Sequence, residues 1–142
     1  MENVGAVTFS DNLLQPKDTQ TDLLLFKFHY IALHELAHMW FGDLVTMEWW
    51  TDLWLKESFA DFMAAVNMLE NQNLKNYKNS ELLFLVYLNN AIDADLLKST
   101  HPIQVNVNST EDATNVFDRI CYEKGASFIK QMNHYVGRDI LT

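Results

Sequence analysis

Two histidines and a glutamate stand in the order His34-Glu35-Leu36-Ala37-His38. At 3.6 residues per turn, positions i and i+4 of a helix lie one above the other on the same face. Both imidazoles then reach one ion, and the Glu35 carboxylate reaches a water bound to it. This is the HExxH zinc pattern. Zinc takes imidazole nitrogens and carboxylate oxygens, and a catalytic site keeps its fourth position for water, so a third protein ligand is needed. Glu57 follows His38 by nineteen residues, within Trp54-Leu55-Lys56-Glu57-Ser58-Phe59-Ala60-Asp61. Two antiparallel helices with a short connection bring Glu57 opposite the histidine pair. Asp61 lies one turn beyond Glu57. It suits a hydrogen bond from a ligand imidazole and equally suits an ordinary exposed helix carboxylate. His29, His101 and His134 have no partner pattern and read as structural. Cys121 reads as a small packing residue, because no activating histidine stands near it in sequence.

The elements that must position these residues are mostly helical. Thr21 to Phe41 is apolar on nearly every face, through Leu23, Leu24, Leu25, Phe26, Phe28, Ile31, Leu33, Leu36, Met39 and Trp40. Such a helix is expected to be buried by its neighbours, with Gly42 as its C-cap. A short connection, Asp43 to Trp50, leads to a second helix from near Asp52 to about Glu70. A third is expected from about Ser80 to Asp95. Thr110-Glu111-Asp112 is an acidic helix start, and a last helix is expected from Tyr122 to Tyr135, ending at Gly137. Val4 to Phe9 reads as a strand, Asp11 to Gln20 as a loop, and Leu97 to Ser109, with Pro102, as extended or loop. The fold class is mainly α with one or two short strands, without an internal repeat or domain boundary. Trp40, Trp49, Trp50 and Trp54 read as large aromatics packing the core around the first two helices.

Composition narrows the class of partner. The chain has 142 residues, room for one domain; about half are apolar (49%) and 13% aromatic, which excludes disorder. Only 4 Gly and 2 Pro favour helix over linker-rich architecture. The formal charge of −9 lacks the basic footprint of a nucleic-acid binder and disfavours anionic membrane surfaces. One cysteine permits no internal disulfide, so packing or a metal must hold the core. The longest apolar run, Leu82 to Leu88, is far too short for a transmembrane segment. The start of the chain carries no targeting segment. Cytoplasmic is therefore the default location, with upstream sequence expected to be missing.

The stretch HELAHMWFGDLVTMEWWTDLWLKESFADF resembles the zinc region of the gluzincin metallopeptidases, and in detail that of the aminopeptidase N family. That family's pattern is HExxH, eighteen residues, then Glu, and the spacing here is the same. Met1-Glu2-Asn3 resembles the end of the family's Gly-x-Met-Glu-Asn exopeptidase motif. Cys121-Tyr122-Glu123-Lys124-Gly125-Ala126 resembles its Tyr-x-Lys-Gly-Ala segment. The likeness covers nearly the whole chain. It departs at Val4, where the family usually has Trp, and at Lys56 and Ser58, where Asn and Gly are common. The Gly-x of the exopeptidase motif would precede Met1.

The resemblance implies one zinc ion per chain, held by His34, His38 and Glu57. Glu35 would be general base and then proton shuttle, Tyr122 the donor to the oxyanion, and Glu2 the partner of the substrate's free α-ammonium. It implies a single partial catalytic domain over residues 1–142, of thermolysin-like fold and truncated at both ends. The expected substrates are peptides with a free N-terminus. In the isolated chain, the α-ammonium of Met1 is expected to pair with Glu2 in their place. Three other readings stay open: a thermolysin-type zinc endopeptidase, a catalytically silent zinc-binding fragment, and a structural helical domain with an accidental HExxH.

Overall fold

The computed structural model describes residues 1–14, 21–71 and 82–137. Helix α1 spans Asp22–Ala37, α2 Leu53–Glu70, α3 Leu83–Asp95, α4 Thr110–Asn115 and α5 Gly125–Val136. Single 3₁₀ turns occupy Asp11–Leu13 and Trp50–Asp52, and a π-helical turn, Ile120–Lys124, leads into α5. Mainly helical architecture is thus observed.

Local chemistry explains the boundaries. The Thr21 hydroxyl accepts from the Leu24 amide and opens α1, while the Ser109 hydroxyl accepts from the Asp112 amide and opens α4. Both are N-cap bonds that satisfy an otherwise orphaned donor. Helix α1 stops at Ala37, four residues before the expected Phe41, and His38 is its C-cap. The chain then folds back on itself. The amides of Asp43, Leu44 and Val45 bond to the carbonyls of His38, Met39 and Trp40. Gly42 makes this possible at φ +138°, and a Cβ there would lie 3.3 Å from His38 Nδ1, so glycine is required against the histidine ring. The start expected for the third helix, Ser80, lies outside the described residues.

Helix α2 is central, packing against α1, α5 and the π-helical turn; α3 packs against that turn and α5. The buried side of α2 carries Leu53, Glu57, Ser58, Ala60, Asp61, Phe62, Ala64, Ala65 and Met68. Its small residues let neighbouring helices approach closely, and Phe62, Ala65, Phe84, Tyr87, Ala126 and Ile129 form the apolar core. Among the large residues of that core, burying each side chain contributes about 1.5–3 kcal/mol. The Tyr30 and Tyr87 rings meet edge to face with centroids 5.9 Å apart, tying α1 to α3.

Three expectations are corrected. There is no strand among the described residues, only one isolated bridge between Phe41 and Val45. Val4 and Gly5 form a turn instead, with the Ala6 amide on the Asn3 carbonyl, and the Thr8 amide bonds to the Met1 carbonyl. A strand needs a partner edge for its alternate amides, and none of the described residues supplies one here. Residues 97–109 hold no helix or strand, in keeping with the loop reading of Leu97 to Ser109. Second, α1 is not buried all round. His34 alone among its residues is buried, and Leu23 and Leu36 remain 64% and 52% exposed. Third, Trp40, Trp49 and Trp50 are exposed rather than core residues. Trp49 instead donates its indole N–H to the Val107 carbonyl at 2.8 Å. Apolar surface of this extent is characteristic of a face made for contact with other structure.

Candidate metal centre

The last turn of α1 and the second turn of α2 face one another, and this juxtaposition creates the centre. His34 on α1 and His38, its C-cap, lie one turn apart, and Glu57 reaches them from α2. His38 Nε2 is 3.0 Å from His34 Nε2. Glu57 Oε2 is 3.4 Å from His34 Nε2 and 3.2 Å from His38 Nε2. All three residues are buried. A tetrahedral zinc ion with bonds of ~2.0–2.1 Å needs its ligand atoms roughly 3.3 Å apart. The three observed edges surround that length, so the donor set fits zinc in both chemistry and size.

The opposite ring edges fix the tautomers. His34 Nδ1 donates to Asp61 Oδ1 at 2.8 Å, and His38 Nδ1 donates to the Phe41 carbonyl at 2.9 Å. Each ring thereby turns its Nε2 inward, the arrangement that orients metal-binding imidazoles. Asp61 is buried against His34 and is not an exposed helix carboxylate. The Tyr30 hydroxyl donates to the same Asp61 oxygen at 2.6 Å. Tyr30 and Phe41 were not singled out by sequence. Tyr30 sits one helical turn before His34, which is the only local signal that marked it.

Burial and charge set the protonation states. Burial opposes the charged form of His34, but hydrogen bonds and proximity to Asp61 and Glu57 outweigh it and raise the imidazole to about 9. In the ion-free protein a proton therefore sits where a cation would otherwise relieve two facing nitrogens and a carboxylate. Burial also opposes ionisation of Glu57, yet the two histidines and Lys56 hold it well below the usual carboxylate range. For Asp61, burial prevails over the His34 interaction and the carboxyl is raised.

The remaining candidates surround this triangle. Carboxylate oxygens of Glu2 and Glu35 and a nitrogen of His38 lie within 4.8 Å of one another. Glu35 is not in the ligand triangle and faces the α-ammonium of Met1 at 3.1 Å. The expected pairing of that ammonium with Glu2 is not what forms, because Lys56 takes Glu2. The Lys56 ammonium bridges Glu2 Oε1 and Glu57 Oε1, the latter at 3.3 Å. Burial alone would raise Glu2, but the Lys56 hydrogen bond holds it lower than an ordinary glutamate. Tyr122 projects from the π-helical turn, its ring stacked on His34 with centroids 6.0 Å apart. Burial first, and then the Glu57 carboxylate, push its phenol well above the ordinary value, so it remains a proton donor at neutral pH. Burial, reinforced by the nearby carboxylates, also pushes the Cys121 thiol far up. That makes it an inert packing residue.

Residues 1–142 match the peptidase family M1 domain along their full length. The chain belongs to peptidase family M1. This M1 chain is 44% identical over 140 residues to aminopeptidase N of Streptomyces lividans, covering 98% of this chain and 16% of that protein. It is 38% identical over 139 residues to a leucyl aminopeptidase of Saccharolobus solfataricus. It is 38% identical over 143 residues to the tricorn protease-interacting factor F2 of Thermoplasma volcanium. Both alignments cover 98% of this chain and 18% of the relative. The M1 chain therefore spans under a fifth of the length of these relatives. Among its described residues no helix is long and apolar enough to cross a membrane.

Proposed function

We propose that this chain is the zinc-binding part of a metallo-aminopeptidase, within a thermolysin-like catalytic domain that continues beyond it. The observation that carries the reading is the buried triangle of His34 Nε2, His38 Nε2 and Glu57 Oε2, with edges of 3.0, 3.2 and 3.4 Å. These three residues would hold one zinc ion, which when bound lowers the pKa of water and polarises the scissile carbonyl. Asp61 and the Phe41 carbonyl keep the two imidazoles turned toward it. Glu35 takes the proton from the attacking water and passes it to the leaving amine, general base then general acid. Tyr122, kept protonated by its surroundings, donates its hydroxyl to the developing oxyanion. Glu2 receives the substrate's α-ammonium in place of Lys56, a charge-assisted contact that selects a free N-terminus.

The proximity of Glu2 to Glu35 and His38 supports the exopeptidase reading over the endopeptidase one. The relatives' names support the same activity. The test is hydrolysis of an aminoacyl chromophore by zinc-loaded protein in which this chain is continued by the rest of the catalytic domain, with and without a chelator, beside its N-acetylated counterpart; the isolated chain is expected to turn over poorly. Cleavage of the free-amine substrate alone, abolished by chelation and restored by zinc, is the expected result. Equal cleavage of the blocked substrate would assign an endopeptidase. Bound zinc with neither activity would assign a silent zinc module.

A further inference from the structure

The π-helical turn that carries Tyr122 is held from outside the metal centre by a residue distant from it in sequence. The turn is wound so that the amides of both Glu123 and Lys124 bond to the Arg119 carbonyl at 3.0 Å. Such single π-turns cost hydrogen-bond geometry and cluster at functional sites. Here the backbone just before Tyr122 is fixed by Asp118, whose Oδ1 accepts from the amides of Ile120 at 2.9 Å and Cys121 at 3.1 Å. The Cys121 carbonyl in turn accepts from the Ser58 hydroxyl at 2.7 Å, one residue after Glu57.

Asp118 is itself gripped. Its other oxygen, Oδ2, accepts from His101 Nε2 at 2.9 Å, and His101 Nδ1 donates to the Pro102 carbonyl at 2.7 Å. A carbonyl and a carboxylate only accept, and a neutral imidazole has one N–H. Both bonds together require the imidazolium. We propose that His101 is a positioning residue for Tyr122: as an imidazolium it fixes the Asp118 carboxylate, which holds the π-helical turn and so aims the phenol. The proposal rests on the oxyanion role given to Tyr122 above. Burial opposes charging of His101, but the Pro102 carbonyl and Asp118 prevail and raise it. The other charged groups acting there are Lys124, which opposes the charge, and Asp95, which pairs with Lys124 at 2.9 Å.

The test compares His101→Ala and His101→Gln with the parent protein by two readouts. The first is amide hydrogen exchange at Ile120 and Cys121 in the ion-free protein. Protection is expected to fall roughly ten-fold in His101→Ala, the weight of one charge-assisted hydrogen bond, and less in His101→Gln, which keeps one donor. Exchange at Met68 in α2 should not change. The second readout is turnover of an aminoacyl chromophore by the zinc-loaded protein in which this chain is continued by the rest of the catalytic domain. His101→Ala should lower kcat roughly ten-fold or more, as small misplacements do, with KM and zinc content preserved. In a Tyr122→Phe background the same substitution should add nothing. Unchanged exchange at Ile120 and Cys121, or an equal kcat loss with and without the Tyr122 hydroxyl, would overturn the proposal. Full turnover by Tyr122→Phe alone would instead overturn the role of Tyr122, and the exchange data would still decide whether His101 holds the turn. Should His101→Ala not fold, His101→Gln carries both comparisons.

Discussion

Gly125 opens α5 where it crosses α2, and replacing it with alanine is expected to damage the packing behind the metal centre. A Cβ added there would lie 1.7 Å from Ser58 Oγ, 2.8 Å from Ser58 Cβ and 3.3 Å from Trp54 Cε3. Neither helix can ignore a contact of 1.7 Å, because Gly125 is buried and Ser58 is fully enclosed. Overpacking of a buried site costs about 1–3 kcal/mol, and so severe an overlap belongs at the upper end. Displacing the Ser58 hydroxyl also breaks its bond to the Cys121 carbonyl, about 1 kcal/mol more. The better helix propensity of alanine returns about 1 kcal/mol. The net loss is about 3 kcal/mol, which in a domain of this size lowers Tm by roughly 10 °C. Circular dichroism melts of Gly125→Ala, Ser58→Gly and the double variant measure it. Ser58→Gly removes both clashing atoms, so the double variant should be less destabilised than the sum of the two singles. A Gly125→Ala protein that melts at or above the parent temperature would refute the close approach of α2 and α5.

Four further outcomes are expected. Glu35→Gln should keep its zinc by atomic absorption while losing roughly 10²–10⁴-fold in turnover; loss of zinc would make Glu35 a ligand. Tyr122→Phe should lose roughly 10²–10³-fold in kcat with little change in KM, and unchanged turnover would return Tyr122 to core packing. Asp61→Asn should weaken zinc binding roughly 10–100-fold by replacing the charge-assisted bond to His34 with a weaker neutral one, measured by competition with a chromogenic chelator. Because the ion-free His34 is raised to about 9, zinc must displace a proton there. Affinity should therefore rise from pH 6 to pH 9, and titration calorimetry in buffers of different ionisation enthalpy should detect proton release near neutrality.

The centre was readable in the sequence because its geometry is mostly local. The i, i+4 spacing of His34 and His38 needs nothing but a helix, and Glu57 needs only a second helix returning after a short connection. Asp61 follows from the same α2 face. Contacts set by tertiary structure were not readable. The His101 and Asp118 pair spans seventeen positions with no repeating pattern between them. The Lys56 bridge joins residues fifty-four apart. The Val4 to Phe9 strand failed because β-branched residues favour a strand only where a partner edge exists. The tryptophans failed for a related reason: an apolar face states a preference for cover, and which face receives it depends on surrounding structure. The π-helical turn had no signal of its own: the side chains that brace it, Asp118 and Ser58, both lie outside the turn.

Zinc stoichiometry across a small set of variants tests the central claim most directly. The protein, stripped of metal, reloaded and freed of excess zinc by gel filtration, should carry one ion per chain. Glu35→Gln should carry one as well, and His38→Ala and Glu57→Ala should carry close to none at the same free-zinc concentration while retaining their helical signal. A parent protein that binds no zinc, or a folded Glu57→Ala protein that binds it undiminished, would contradict the account.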